Sequence, residues 1–243
     1  MDMNYITLRN LMLAAFVTVP ALAAKTQGTF QNLDFELANP VPVQNPILPG
    51  EVTFASALPD WNGSINGTPV TTALFNNYTL GAPSIDVFGP GWSSVNPGVI
   101  DGDYTVFLQS IASGATGIAS ISQSGTIPTG AESLQLKAWS FQPTAQFSVS
   151  FDGNTLFPIT LSTGQTASGQ GYTLYGFNVS PYAGDSGQLQ ITSTVPSGNG
   201  ISWVEFDDIA FSTTAVPEPG VITLLGIGGL AFAFRGWRRR PKS

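Results

Sequence analysis

With neither a histidine nor a cysteine in 243 residues, the chemistry open to this chain is narrow. A Ser-His-Asp triad, a thiolate nucleophile, a disulfide and the usual zinc sites are all excluded. Two kinds of residue remain that could act on a ligand. The first is carboxylates in pairs, the groups that glycoside hydrolysis uses. Asp86, Asp101, Asp103 and Glu205 are available, but their spacing pairs none of them at the required separation, so an enzyme is not expected. The second is aromatic rings beside turns. Leu58-Pro59-Asp60-Trp61 and Gly89-Pro90-Gly91-Trp92 each set a Trp next to turn residues, and with Tyr78 these rings would form a platform that stacks on sugar faces. The same rings also read as caps on the core beneath loops. Asp101-Gly102-Asp103-Tyr104 lacks the ligand pattern that would follow in a calcium loop and reads as a turn.

Charge is distributed unevenly. Of 8 Lys+Arg, six (Arg9, Arg235, Arg238, Arg239, Arg240 and Lys242) lie in the two terminal segments, which leaves Lys25 and Lys137 in the body. Only Asp2 and Glu218 of the 15 acids lie in those segments, so 13 acids face 2 bases, a charge near −11. Such a surface repels phosphate backbones, and no nucleic-acid partner is expected.

The first 24 residues read as a secretory signal peptide. Arg9 sits in a short polar opening, Leu11 to Val19 is an apolar core, and Ala21-Leu22-Ala23 supplies the small residues of a cleavage site. The other end has three parts. Val216, Pro217, Glu218 and Pro219 form a strip that its prolines hold extended. Val221 to Trp237 is an apolar helix candidate of 17 residues, about 25 Å long against the ~30 Å hydrocarbon core. Arg235, Arg238, Arg239 and Arg240 form a basic stop that favours the cytoplasmic side. Together these parts resemble the PEP-CTERM sorting signal of Gram-negative bacteria. That resemblance implies Sec export, a precursor held in the inner membrane by its C-terminal helix, and processing by an exosortase. It further implies release to the cell surface or extracellular matrix in association with exopolysaccharide. An ordinary single-pass anchor is the alternative. The expected organisation is a signal peptide over 1–24, a β domain over 25–214 and the sorting signal over 215–243, with motif 216–220, helix 221–237 and basic tail 238–243.

The body that must position any site reads as all-β. Short alternating runs recur between turn residues and no long 3.6-residue period appears. Strands are predicted near Thr29–Glu36, Val52–Leu58, Val70–Asn76, Ser84–Phe88, Tyr104–Gln109, Ile118–Gln123, Ser133–Ser140, Gln146–Phe151, Asn154–Ile159, Tyr172–Asn178, Gln188–Thr194 and Ile201–Phe211. Asp152-Gly153 predicts a type I′ hairpin. Phe147, Val149 and Phe151 share one face there, as do Leu134, Leu136 and Ala138 further back. One-sided strands in this number predict an antiparallel two-sheet jelly-roll sandwich.

Asn32-Leu33-Asp34-Phe35-Glu36 near the start, Trp203 to Phe211 near the end, and Phe177 to Gly184 before Gln188-Leu189-Gln190-Ile191 are similar to motifs of the galactose-binding-like jelly rolls, which include many carbohydrate-binding modules. The resemblance implies a structural calcium on Glu36 and Asp207 or Asp208, with Asp34 a weaker ligand. It also implies a carbohydrate-binding function as the alternative to a purely structural surface protein. If the two strands pair, several carboxylates meet with no base near in sequence, and a cation would relieve their repulsion.

Overall fold

A computed structural model of the protein describes residues 25–94, 98–112, 117–140, 147–166, 168–195 and 200–217. The expected signal peptide, Glu218 and Pro219 of the proline strip, the helix over 221–237 and the basic stop at Arg235, Arg238, Arg239 and Arg240 lie outside the described residues.

Fifteen strands are described. They are β1 (Lys25–Thr26), β2 (Glu51–Thr53), β3 (Asn62–Ile65), β4 (Thr68–Pro69), β5 (Thr72–Phe75), β6 (Ser84–Phe88), β7 (Thr105–Ile111), β8 (Ala119–Thr126), β9 (Ser133–Ser140), β10 (Phe147–Phe151), β11 (Asn154–Leu156), β12 (Ile159–Gln165), β13 (Gly171–Asn178), β14 (Ser186–Ser193) and β15 (Ile201–Ser212). A single helical turn, α1 (Phe54–Ala57), follows β2. The larger sheet runs β12-β13-β9-β15-β7-β6-β5-β2, with β1 on the end of β15, and the smaller runs β11-β10-β14-β8-β3-β4. The described pairs are antiparallel except β5 with β6. The protein is therefore an antiparallel-rich two-sheet β-sandwich, as its alternation predicts.

Period-two alternation builds the interior. Leu134, Leu136 and Ala138 of β9 and Val204 and Phe206 of β15 face Val149, Phe151, Leu189, Ile191 and Ile121 of the smaller sheet in one buried cluster. The Asp152-Gly153 hairpin forms as expected, both residues at positive φ, with Phe151 opposite Asn154. Several expectations change. Val52–Leu58 is a strand only at its start, since Phe54–Ala57 turns into α1. Thr29–Glu36 is turns and not a strand, because Asn32 and Phe35 take positive φ. Phe35 is held there by burial, its ring against Trp61 and Phe206 at 5.7 Å each. Asn154–Ile159 breaks at Phe157-Pro158, where the chain crosses from the smaller sheet to the edge of the larger one. Four strands were not anticipated, β1, β3, β4 and the edge strand β12, of which β3 and β12 are poor in apolar residues.

Candidate functional site

The outward face of the larger sheet carries the buried acids. Cross-strand register sets Asp86 opposite Phe107, Phe107 opposite Glu205, and Glu205 opposite Trp139. Asp86 and Glu205 are thus two strands apart, about 10 Å at the backbone. Both are 0% exposed. Asp86 accepts the Ser84 hydroxyl at 2.7 Å, while its Oδ1 has no partner. Glu205 accepts the backbone N–H of Gly98 at 3.1 Å and the side-chain amide of Gln170. Burial drives the Glu205 carboxyl up to about 8 against the lowering effect of Gln170 and Gly98. Burial likewise pushes Asp86 well above the carboxylate range, with Ser84 opposing. At neutral pH the Glu205 carboxyl is therefore mostly protonated and sealed from solvent, and burial pushes Asp86 the same way.

Asp101 and Asp103 do not join that pair. They lie in the turn before β7, at one corner of the sandwich, with the residues expected to hold calcium. Glu36 Oε1 accepts the backbone N–H groups of Asp103 and Tyr104 at 2.9 and 3.1 Å. Asp207 is buried and accepts the Thr105 hydroxyl at 2.5 Å and the N–H groups of Asp101 and Asp208 at 3.1 and 2.7 Å. Its burial raises its pKa well above normal, with Thr105 opposing first. Asp208 sits at positive φ in a bulge of β15 and pairs at 3.1 Å with Lys137, which also donates to Asp101 at 2.5 Å. Burial lowers the Lys137 pKa, but Asp101 and Asp208 outweigh it, so the ammonium is held charged. Asp34 is exposed. The structure brings Glu36, Asp207 and Asp208 to this corner, each already engaged by donors of the chain itself. The opening segment does not pair as a strand; the pairing of β9 with β15 instead sets Lys137 opposite Asp207 and supplies a cation from the chain itself. Among the described residues no group of three or more acids sits together as a metal site would require. Glu36→Ala is accordingly expected to lower the melting temperature by about 2–4 °C, as lost hydrogen bonds to two N–H groups would. The loss should be equal in calcium and in excess chelator; a loss confined to calcium would restore the metal reading.

The aromatic platform also changes. Trp61 is only 4% exposed and donates from its indole to the Asn32 carbonyl at 3.0 Å, so it belongs to the core and offers no face to a sugar. Trp92 and Tyr78 do meet, edge to face at 6.3 Å, but Trp92 has one face covered by Phe88, stacked at 4.4 Å. From Tyr78 and Phe88 the rings continue through Phe107 and Trp203 to Trp139, with neighbouring centroids 4.8–5.8 Å apart. Trp139 and Tyr172 then line an open cleft of about 590 Å³ with Thr163 and Gln165. Trp139 was missed, although its alternation with Leu134, Leu136 and Ala138 already set it outward.

The smaller sheet is different in kind. None of its six strands contains an ionisable residue. Its outward face is Ser150, Gln190, Ser122 and Asn62 in one cross-strand row and Ser148, Thr192, Ser120 and Ser64 in the next. Ser64 and Ser120 hydroxyls bond each other at 2.8 Å. Asn62, Ser64, Ser122, Gln188 and Gln190 line a cleft of about 460 Å³. Among the described residues no side-chain hydrogen bond engages Asn62, Gln188 or Gln190.

Beyond β15 the chain is strapped to the body. Ser133 donates its hydroxyl to the Thr214 carbonyl at 2.7 Å, and Val216 is buried over Gly176, where an added Cβ would meet Val216 at 2.5 Å. Pro217, next in the strip, is exposed.

The fold and this tail together define an exported β-sandwich with a sorted C-terminus. Residues 215–240 match the PEP-CTERM protein-sorting motif. The match supports a surface protein sorted by an exosortase, exported and processed from a membrane-anchored precursor. No curated protein is significantly similar to the chain. Among solved structures, the apo form of a cyclase from Fischerella sp. is 18% identical over 78% of this chain and 96% of its own, with a TM-score of 0.38. The K1 cleaved adhesin domain of Lys-gingipain from Porphyromonas gingivalis W83 is 12% identical over 69% and 98%, with a TM-score of 0.34. The enzymatically active domain of bacteriophage CBA120 tailspike protein 4 is 15% identical over 64% of this chain and 19% of its own, with a TM-score of 0.22. Likenesses this distant carry no argument about activity.

Proposed function

We propose that the protein is a non-enzymatic cell-surface or matrix β-sandwich whose charge-free sheet face lies against neutral envelope polysaccharide once an exosortase has processed its tail. The supporting observation is the contrast between the two sheets. A body near −11 keeps every strand charge off one whole sheet. What that sheet turns outward is hydroxyls and carboxamides, groups that both donate and accept and so match sugar hydroxyls. Each such bond contributes only about 0.5–1.5 kcal/mol net. Single sugars should therefore bind weakly, and a polymer that spans several rows should bind better through repeated contact.

A second reading, a module with an aromatic sugar site, is favoured by the cleft beside Trp139 and Tyr172. The two separate by affinity electrophoresis through gels of neutral glucan or galactan. The double variant Gln188→Ala/Gln190→Ala is expected to lose most of the retardation, and Trp139→Ala and Trp92→Ala to keep it. The opposite pattern would transfer the site to the aromatic face, and no retardation of the parent protein by any neutral polymer would remove both.

A further inference from the structure

We infer that, in the precursor, the sandwich edge bearing Phe157 is seated on the lipid surface. This rests on the reading that the apolar run beginning at Val221 enters the bilayer. Val216 is docked on the body, beside Phe157, Pro158, Ile159, Pro181 and Tyr182, in a cleft of about 440 Å³ that no charged residue lines. From Val216 to Val221 there are five backbone steps, at most about 18 Å fully extended. A folded body of ~190 residues has a radius of gyration of about 16 Å and is about 40 Å across. A leash shorter than half that width cannot let the body turn over. It fixes which edge looks at the membrane, and that edge is the one where Val216 is held.

The surface at this edge suits a headgroup layer, which is about 5–8 Å deep on each side. Phe157 is 80% exposed, an isolated aromatic ring on the link between the two sheets, where Pro158 keeps the backbone from pairing. In water that exposure is unfavourable. At a membrane interface, amphipathic and aromatic groups are stabilised, with Tyr182 at the cleft wall able to keep its hydroxyl wet. The body is strongly acidic, so attraction to anionic lipid cannot hold it there; the leash and the apolar ring do. Ile47, 89% exposed, precedes β2 at the opposite end of the larger sheet. Seven strand spacings put it about 34 Å away, beyond reach of the same surface.

The chain has no cysteine, so Phe157→Cys and Ile47→Cys each create a single labelling site without touching the core. The full-length precursor, labelled with an environment-sensitive fluorophore, would be reconstituted into vesicles of phosphatidylethanolamine and phosphatidylglycerol. Flotation reports whether the tail holds the protein to lipid. Headgroup-level spin-labelled lipid reports which edge touches it. The expected result is flotation of both variants, with a blue shift and strong quenching at position 157 and neither at 47. Floating protein with equal quenching at both positions, or none at 157, would overturn the seat and leave the anchor standing. Failure to float would overturn the anchor itself and the seat with it.

Discussion

The parent protein is expected to lose stability between about pH 4.5 and pH 8, and Glu205→Gln is expected to flatten that fall. The Glu205 carboxyl is buried, and burial raises its pKa from 4.5 to about 8, with Gln170 and Gly98 opposing. Between those values the folded state keeps a proton that the unfolded state has released. Stability must then fall as pH rises through the window, and the contribution is fully present only on the acid side. At about 1.4 kcal/mol per pKa unit, the whole window amounts to up to about 5 kcal/mol. Gln matches the shape, keeps an acceptor for the Gly98 N–H and removes the ionisation. Urea denaturation at pH 5, 6.5 and 8 should show the variant gaining on the parent as pH rises, with the largest gain at pH 8. Some slope should survive in the variant, because burial also raises Asp86 and Asp207, and both act in the same sense. Parallel profiles for parent and variant would mean that Glu205 is ionised in its pocket and that the sealed, neutral state is wrong.

What could be read from the sequence was what local pattern encodes. The Asp152-Gly153 turn, the one-sided β9 and β10 and the two-sheet build all follow from positive-φ chemistry and period-two alternation, and all are present. The motif at 215–240 was legible because three unlike segments stand in a fixed order. The missed features are those that only pairing creates. Lys137 lies far along the chain from Asp208, yet strand pairing brings its ammonium to 3.1 Å. Strand β12 alternates weakly because it is an edge with one exposed side, so its Ser, Thr and Gly read as loop. Asn66-Gly67 makes the turn between β3 and β4 with both residues at positive φ, but the strands it joins are too short to show an alternation. The charge-free face of the smaller sheet was invisible for the same reason. Each of its strands is merely polar, and only the register assembles them into a surface.

Trp61 shows the same limit most sharply, and its replacement should have the other large effect. Sequence places it beside a turn, where a ring can cap the core or face a ligand. The structure puts it inside, donating to the Asn32 carbonyl and packed on Phe35. Asn32 is itself a clamp. Its side chain donates to the Pro59 carbonyl and accepts the Leu37 N–H, each at 3.0 Å, so the turn at 32–37 and the turn at 58–61 hold each other. Trp61→Ala would leave a cavity under that clamp and a buried carbonyl without its donor. Core aromatic truncations of this kind cost about 3–5 kcal/mol, which for a body of this size lowers the melting temperature by about 10–15 °C. Trp61→Phe should lie between, since it keeps most of the volume and loses the indole N–H. Trp92→Ala, which removes a half-exposed ring stacked on Phe88, should cost far less. If the Trp61 variant instead melts with the parent and loses retention on a neutral glycan gel, the ring is a ligand contact and its burial in the core is wrong. If it melts early and the fraction still folded is retained like the parent, the ring's work is to lock the two turns over the core, and the search for the sugar contact stays on the uncharged sheet.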